Sequence, residues 1–147
     1  MLKVLIVDDE TVVRRGIVLG VDWASMDCVV VGEAANGEEG LAAAERYNPN
    51  LIITDVRMPR MDGIEMMRRL REKESTAHFI ILTAYDEFDY ARAALRYGAA
   101  DYLLKPFRDQ DLMSAIARVR EKEGAAQPAE DTLLLPKGDK SKYVLQT

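Results

Sequence analysis

The sequence predicts a doubly wound α/β sandwich built on a five-stranded parallel sheet. Three observations carry that expectation: short apolar runs recur over roughly the first hundred residues, their hydrophobicity is continuous rather than alternating, and helix-start signals stand between them. A strand covered on both faces is apolar throughout, as in a parallel sheet, whereas a half-exposed strand alternates. The first run is Leu2 to Val7 and the second Cys28 to Gly32; the alternation expects a helix between them, with Trp23 covering it after Gly20. Asn36 with Glu39 opens the next helix, a capping side chain ahead of an acidic residue in the first turn. Leu51 to Thr54 is the third strand, followed by Asp62 with Glu65 as a second capped start. Phe79 to Leu82 is the fourth strand, followed by Asp86 with Asp89 and an apolar face of Phe88, Ala91 and Leu95. Asp101 to Leu104 is the fifth, and Leu112, Ala115, Ile116 and Val119 then recur at i, i+3, i+4 and i+7 as a last helix. Alternating strands and helices joined by right-handed crossovers give a three-layer sandwich.

With 147 residues, 48% hydrophobic and 31% charged, the chain is sized and composed for one core. The expected domain spans residues 1–123. Beyond it, Ala125-Ala126-Gln127-Pro128, Pro136 and Gly138 mark residues 124–147 as a linker or tail toward a domain the chain does not contain. Lys and Arg number 20 against 25 Asp and Glu, a net charge of −5, so the field of the chain does not favour nucleic acid phosphates. Cys28 is the only cysteine, which excludes an intrachain disulfide and a thiolate-built zinc site and suits the cytoplasm. The apolar start is cut off by Asp8-Asp9-Glu10, too early for a signal peptide, and no run approaches a membrane span.

Polar residues stand where the apolar runs end: Asp8 and Asp9 after the first, Asp55 after the third, Thr83 after the fourth, Lys105 after the fifth. In a parallel sheet all of these lie on the carboxyl-terminal edge, where ligands bind at the point at which the strand order reverses. With strand order 2-1-3-4-5 that point falls between strands 1 and 3, the two that end in Asp. Crowded carboxylates repel one another and titrate high unless a cation joins them. Oxygen-only ligands fit a hard ion, Mg2+ in particular, which binds through one or two carboxylates, waters and a phosphate. Lys105 supplies a compact positive charge and Thr83 a hydroxyl donor, as the oxygens of a phosphoryl group in transfer require. Asp55, central among the three acids, is the candidate nucleophile, because Asp carboxylates attack phosphorus to give an aspartyl phosphate.

Leu5-Ile6-Val7-Asp8-Asp9-Glu10, Asp55-Val56-Arg57-Met58-Pro59-Arg60-Met61-Asp62-Gly63, Leu82-Thr83-Ala84 and Asp101-Tyr102-Leu103-Leu104-Lys105-Pro106-Phe107 resemble the receiver domain of two-component response regulators, over residues 2 to about 122. The resemblance implies a flavodoxin-like fold in which Asp55 accepts a phosphoryl group from a phosphohistidine on a sensor histidine kinase. It implies Mg2+ held by Asp9, Asp55 and the backbone carbonyl of Arg57, with Asp8 acting through a metal-bound water. Thr83 and Lys105 would contact the phosphoryl oxygens, and the Lys105–Pro106 bond would be cis. A switch is implied as well: Thr83 is drawn toward the phosphate, the ring of Tyr102 turns inward, and the face made by the fourth helix, fifth strand and fifth helix changes. A homodimer would form through that face, where Arg92, Arg96, Asp101, Asp109, Arg118 and their neighbours carry both signs of charge.

Gly32-Glu33-Ala34-Ala35-Asn36-Gly37 and the stretch from Tyr85 to Ala91 resemble receivers joined to an AraC-type DNA-binding domain. Transcription would then be the output, and DNA would be reached only through an output domain absent from this chain. The chain would be no enzyme beyond catalysing its own Mg2+-dependent phosphorylation and dephosphorylation. Arg57 and Tyr85, two residues after the acceptor and two after Thr83, would modulate phosphoryl lifetime.

Other readings fit less well. A phosphohydrolase of the haloacid dehalogenase type carries Asp-x-Asp after its first strand, but the position two after Asp8 is Glu10. A mononucleotide binder of the same fold order needs a Ser/Thr/Gly-rich loop there, and Asp8-Asp9-Glu10 has the wrong charge. The alternative is a receiver-like module that binds protein without phosphorylation, which the intact acceptor set disfavours. His78, the only histidine, reads as structural, Cys28 as a small core residue, and Met58, Met61, Met66 and Met67 as packing.

Overall fold

The computed structural model describes residues 1–84, 87, 89 and 92–131. The apolar runs are strands β1 (Leu2–Val7), β2 (Cys28–Ala34), β3 (Leu51–Asp55), β4 (His78–Thr83) and β5 (Asp101–Leu104). They pair in parallel in the order β2-β1-β3-β4-β5, the doubly wound sheet that the sequence predicts. Leu5 lies between Gly32 and Ile52, Asp55 beside Leu82, and Thr83 beside Leu104, so the polar strand ends fall in register along one edge. The continuous hydrophobicity has its expected cause in the three central strands: Val4, Leu5, Ile6, Val7, Ile52, Ile53, Ile80 and Ile81 have no exposed surface, and β1, β3 and β4 are covered above and below, whereas the edge strands β2 and β5 keep exposed residues.

Between the strands run α1 (Thr11–Gly20), α2 (Gly37–Tyr47) and α3 (Gly63–Glu72). Asn36 caps α2 by accepting from the Glu39 N–H at 2.9 Å, and the Glu39 carboxylate accepts from the Ala35 N–H at 2.9 Å. Asp62 caps α3 in the same way, from the Glu65 N–H at 2.8 Å. Trp23 closes the far end of α1, its indole N–H donating to the Val18 carbonyl at 3.0 Å. One face of the sheet packs Leu5, Val7, Ile52, Phe79 and Ile81 with Met66, Met67 and Leu70 of α3 and Ala44 of α2. Met61 belongs to this cluster, Met58 packs against it, and Cys28 is buried. On the other face Ile6, Ile53 and Ile80 are buried, as are Ile17 of α1, Leu112 and Ala115.

Phe79 is fully buried and its ring lies 4.9 Å beneath the Arg71 guanidinium. Phe79→Ala is expected to cost about 4 kcal/mol, from lost transfer free energy and the cavity left behind. Urea denaturation checks this, and a loss below about 1 kcal/mol would show that the position is not closed core.

Two elements differ from expectation. The helix described between β4 and β5 is a 3₁₀ helix over Arg92–Tyr97, in which Ala94 is buried and Leu95 exposed. The apolar pattern had placed Leu95 inside; a 3₁₀ helix repeats every three residues, which moves the inward position. The expected start at Asp86 and the residues Tyr85, Phe88 and Ala91 lie outside the described residues. The C-terminal helix, Asp109–Asp131, continues through Gly124, where the composition changes. Leu112, Ala115, Ile116 and Val119 are buried as their spacing predicts. No helix among the described residues is long and apolar enough to cross a membrane.

Candidate functional site

The carboxyl-terminal edge of the sheet gathers the polar strand ends. Asp8 follows β1, Asp55 closes β3, Thr83 closes β4 and Lys105 follows β5. Carboxylate oxygens of Asp8, Asp9 and Asp55 lie within 4.8 Å of one another. Lys105 Nζ enters this group at 3.1 Å from Asp8 Oδ2, 3.3 Å from Asp55 Oδ2 and 3.5 Å from Glu10 Oε1. Asp8 and Thr83 have no exposure and Asp55 keeps 6%, whereas Asp9 is exposed.

Backbone groups fix Asp8, Asp55 and Lys105. Asp8 Oδ1 accepts from the Glu10 N–H at 2.9 Å, and Asp55 Oδ1 from the Val56 N–H at 2.8 Å. The Lys105 N–H donates to the Thr83 carbonyl at 2.7 Å, and the Lys105–Pro106 peptide is cis, as the resemblance implies. The Thr83 hydroxyl donates to the Ala84 carbonyl at 3.2 Å. The loop from β3 to α3 passes so close to its neighbours that two positions have no room for a side chain. The Gly63 N–H donates to the Val56 carbonyl at 2.7 Å, and a Cβ there would stand 2.2 Å from the Asp55 carbonyl oxygen. The Gly37 N–H donates to the Met61 carbonyl at 2.8 Å, and its Cβ would stand 2.3 Å from that oxygen.

Burial first, and then the charge of Asp8, push Asp55 up to about 7 against the pull of Lys105 and the Val56 N–H. Burial likewise raises Asp8. Burial acts to lower Lys105, but the charges of Asp55 and Asp8 outweigh it and hold the group as ammonium. One ammonium among three carboxylates leaves excess negative charge, and the donors are oxygens throughout. That set fits a hard divalent cation such as Mg2+.

Asp8, Asp9, Asp55, Thr83 and Lys105 therefore meet at one edge. Arg57 stands two residues past Asp55, with its exposed guanidinium 3.5 Å from Glu87 Oε2. Tyr102, on β5, is 43% exposed. Sequence reasoning missed Glu10 as a neighbour of Lys105, the close approach at Gly37 and Gly63, and Arg14, whose Nη1 donates to the Asp8 carbonyl at 2.7 Å. For Arg14 the only signal was its place one helical turn after Glu10.

The family model described as response regulator receiver domain matches residues 4–117. The chain is 35% identical over 119 residues to the transcriptional regulatory protein YesN of Bacillus subtilis, an alignment covering 81% of this chain and 32% of YesN. It is 37% identical over 141 residues to the transcriptional regulatory protein BtsR of Escherichia coli K12, covering 96% of this chain and 56% of BtsR. The chain thus spans between about a third and just over half of these relatives. Among solved structures, the REC domain of AraT, a response regulator from Geobacillus stearothermophilus, is 44% identical with a TM-score of 0.82, covering 86% of this chain and 98% of that one. A two component transcriptional regulator AraC from Clostridium phytofermentans is 31% identical with a TM-score of 0.79, covering 86% and 98% respectively.

Proposed function

Since the chain belongs to the response regulator receiver domain family of two-component signalling, we propose that it is a phosphorylation switch with Asp55 as acceptor. The convergence of Asp8, Asp9, Asp55 and Lys105 from three strand ends carries this reading. A sensor histidine kinase is the phosphoryl donor: an Asp55 carboxylate oxygen attacks phosphorus, the bond from phosphorus to the histidine nitrogen breaks, and the imidazole leaves with its electron pair. Lys105 lies 3.3 Å from Asp55 Oδ2, placed to meet the negative charge of the transferred group. Thr83, one strand over, exchanges its bond to the Ala84 carbonyl for one to a phosphoryl oxygen.

Asp9, Asp55 and the Arg57 carbonyl are the groups to hold Mg2+, with Asp8 joined through a water. When bound, that ion neutralises the carboxylates and the charge developing on the phosphoryl oxygens. Departure of the Thr83 hydroxyl opens space for Tyr102, and the face around β5 becomes the site of homodimerisation. The output is transcription, executed in the cytoplasm by a DNA-binding domain beyond this chain, since both relatives named above are transcriptional regulatory proteins of greater length.

Intact-mass spectrometry after incubation with acetyl phosphate tests the acceptor chemistry. The expected result is a single phosphoryl adduct with Mg2+, mapping to the peptide that contains Asp55, and none in EDTA. A folded protein that takes up no phosphoryl group would favour the phosphorylation-independent binding module instead.

A further inference from the structure

Of the three clustered carboxylates, Asp9 alone is exposed. Asp8 is held by the Glu10 N–H and Lys105, and Asp55 by the Val56 N–H and Lys105. The direction in which Asp9 leaves the chain is set by the peptide joining it to Asp8, and the oxygen of that peptide is the Asp8 carbonyl. Arg14 Nη1 donates to this oxygen at 2.7 Å. The same guanidinium donates through Nε to Glu33 Oε1 at 3.1 Å, while Arg15 pairs with the other oxygen of Glu33. Only 14% of the Arg14 side chain is exposed. The Asp8 N–H is bonded to the Ala34 carbonyl at 3.0 Å, so β2 holds the turn by backbone on one side and through Glu33 and Arg14 on the other. A planar guanidinium joins a carbonyl and a carboxylate at once, which an ammonium does not do with the same fixed geometry.

We propose that Arg14 is a positioning residue of the acidic centre: by bonding the Asp8 carbonyl while anchored on Glu33, it fixes the peptide that aims Asp9 at a divalent cation. This rests on the reading that Asp8, Asp9 and Asp55 hold Mg2+. Groups that orient a ligand without touching the ion commonly change metal affinity by about 10- to 100-fold when removed. Charge alone predicts the opposite sign, because deleting a cation beside an acidic centre strengthens Mg2+ binding. The direction of the change therefore separates positioning from electrostatics.

The experiment is titration calorimetry of Mg2+ into the wild type, Arg14→Ala, Arg14→Lys and Glu33→Gln, together with the Mg2+ concentration that half-saturates uptake from acetyl phosphate. Arg14→Ala is expected to weaken Mg2+ binding about tenfold and to shift half-saturation equally, with the deficit recovered at high Mg2+. Arg14→Lys and Glu33→Gln are expected to fall between it and the wild type. A folded Arg14→Ala that binds Mg2+ as tightly as the wild type, or more tightly, overturns the proposal, as does lost thermal stability without a shift in Mg2+ affinity. If Arg14→Ala does not fold, the other two variants decide in the same way. A wild type that binds no Mg2+ overturns this proposal together with the reading beneath it, whereas an unshifted variant beside a responsive wild type overturns this proposal alone.

Discussion

Asp55→Asn is expected to take up no phosphoryl group under conditions that fully modify the wild type, and to be the more stable protein in EDTA above pH 7. The first effect follows from the missing nucleophile, because an amide oxygen forms no stable acyl phosphate. The second follows from linkage. Asp55 moves from an ordinary value of 3.8 to about 7 in the folded chain, chiefly through burial and then through Asp8. The folded state keeps its proton to higher pH than the unfolded chain does, so the group's contribution is full below about pH 4 and is lost as pH rises to about 7. Allowing for residual solvent contact, the wild type without a divalent cation loses about 2 kcal/mol across that window. Asn keeps the acceptor oxygen for the Val56 N–H and carries no charge, so the stability curve of the variant is flatter. Urea denaturation at pH 5 and pH 8 in EDTA measures both slopes, and a steeper decline in the variant would contradict the assignment.

Gly63→Ala is expected to cost about 3 kcal/mol and to slow phosphoryl uptake with it. The new Cβ would lie 2.2 Å from the carbonyl oxygen of Asp55 and 3.2 Å from Thr54 Oγ1, and the nearer atom is backbone of Asp55 itself. Relief has to come from moving α3 away or tilting the Asp55 peptide, and either breaks the 2.7 Å bond from the Gly63 N–H to the Val56 carbonyl. Gly16→Ala is the control: it lies in α1, where a Cβ would meet nothing beyond its own helix within 4 Å, and it is expected to gain about 0.5–1 kcal/mol by restricting the unfolded chain. Thermal denaturation of the pair distinguishes the two sites. Equal small effects would mean that the loop yields and the approach at Gly63 is not the constraint described.

Much of the fold could be read from the sequence because its signals are local. Apolar runs buried on both faces and capping residues at Asn36 and Asp62 declare themselves within a few residues. The meeting of Asp8, Asp9, Asp55 and Lys105 was legible for another reason: a parallel sheet sends every strand end to one edge, so topology stands in for distance. What stayed hidden depends on geometry between segments. Leu95 looked like a core residue until the helix proved to be 3₁₀. The bond from Arg14 to the Asp8 carbonyl, and its anchor on Glu33, follow from how α1 leaves β1 beside β2, which no spacing in the sequence encodes. The glycines at 37 and 63 stood in plain view within recognisable motifs, but only close backbone approach explains them.

The bond between Lys105 and Asp8 joins residues 97 apart in sequence, near the first strand and the last. Its consequence belongs to the order of synthesis. A chain emerging from the ribosome presents Asp8, Asp9 and Asp55 well before β5 and Lys105 exist, so an unfinished product holds mutually repelling acids without their internal counter-ion. Non-local closure of this kind comes late in folding. The proposed phosphoryl-accepting site is therefore incomplete until the last strand has docked and brought Lys105 to Asp8.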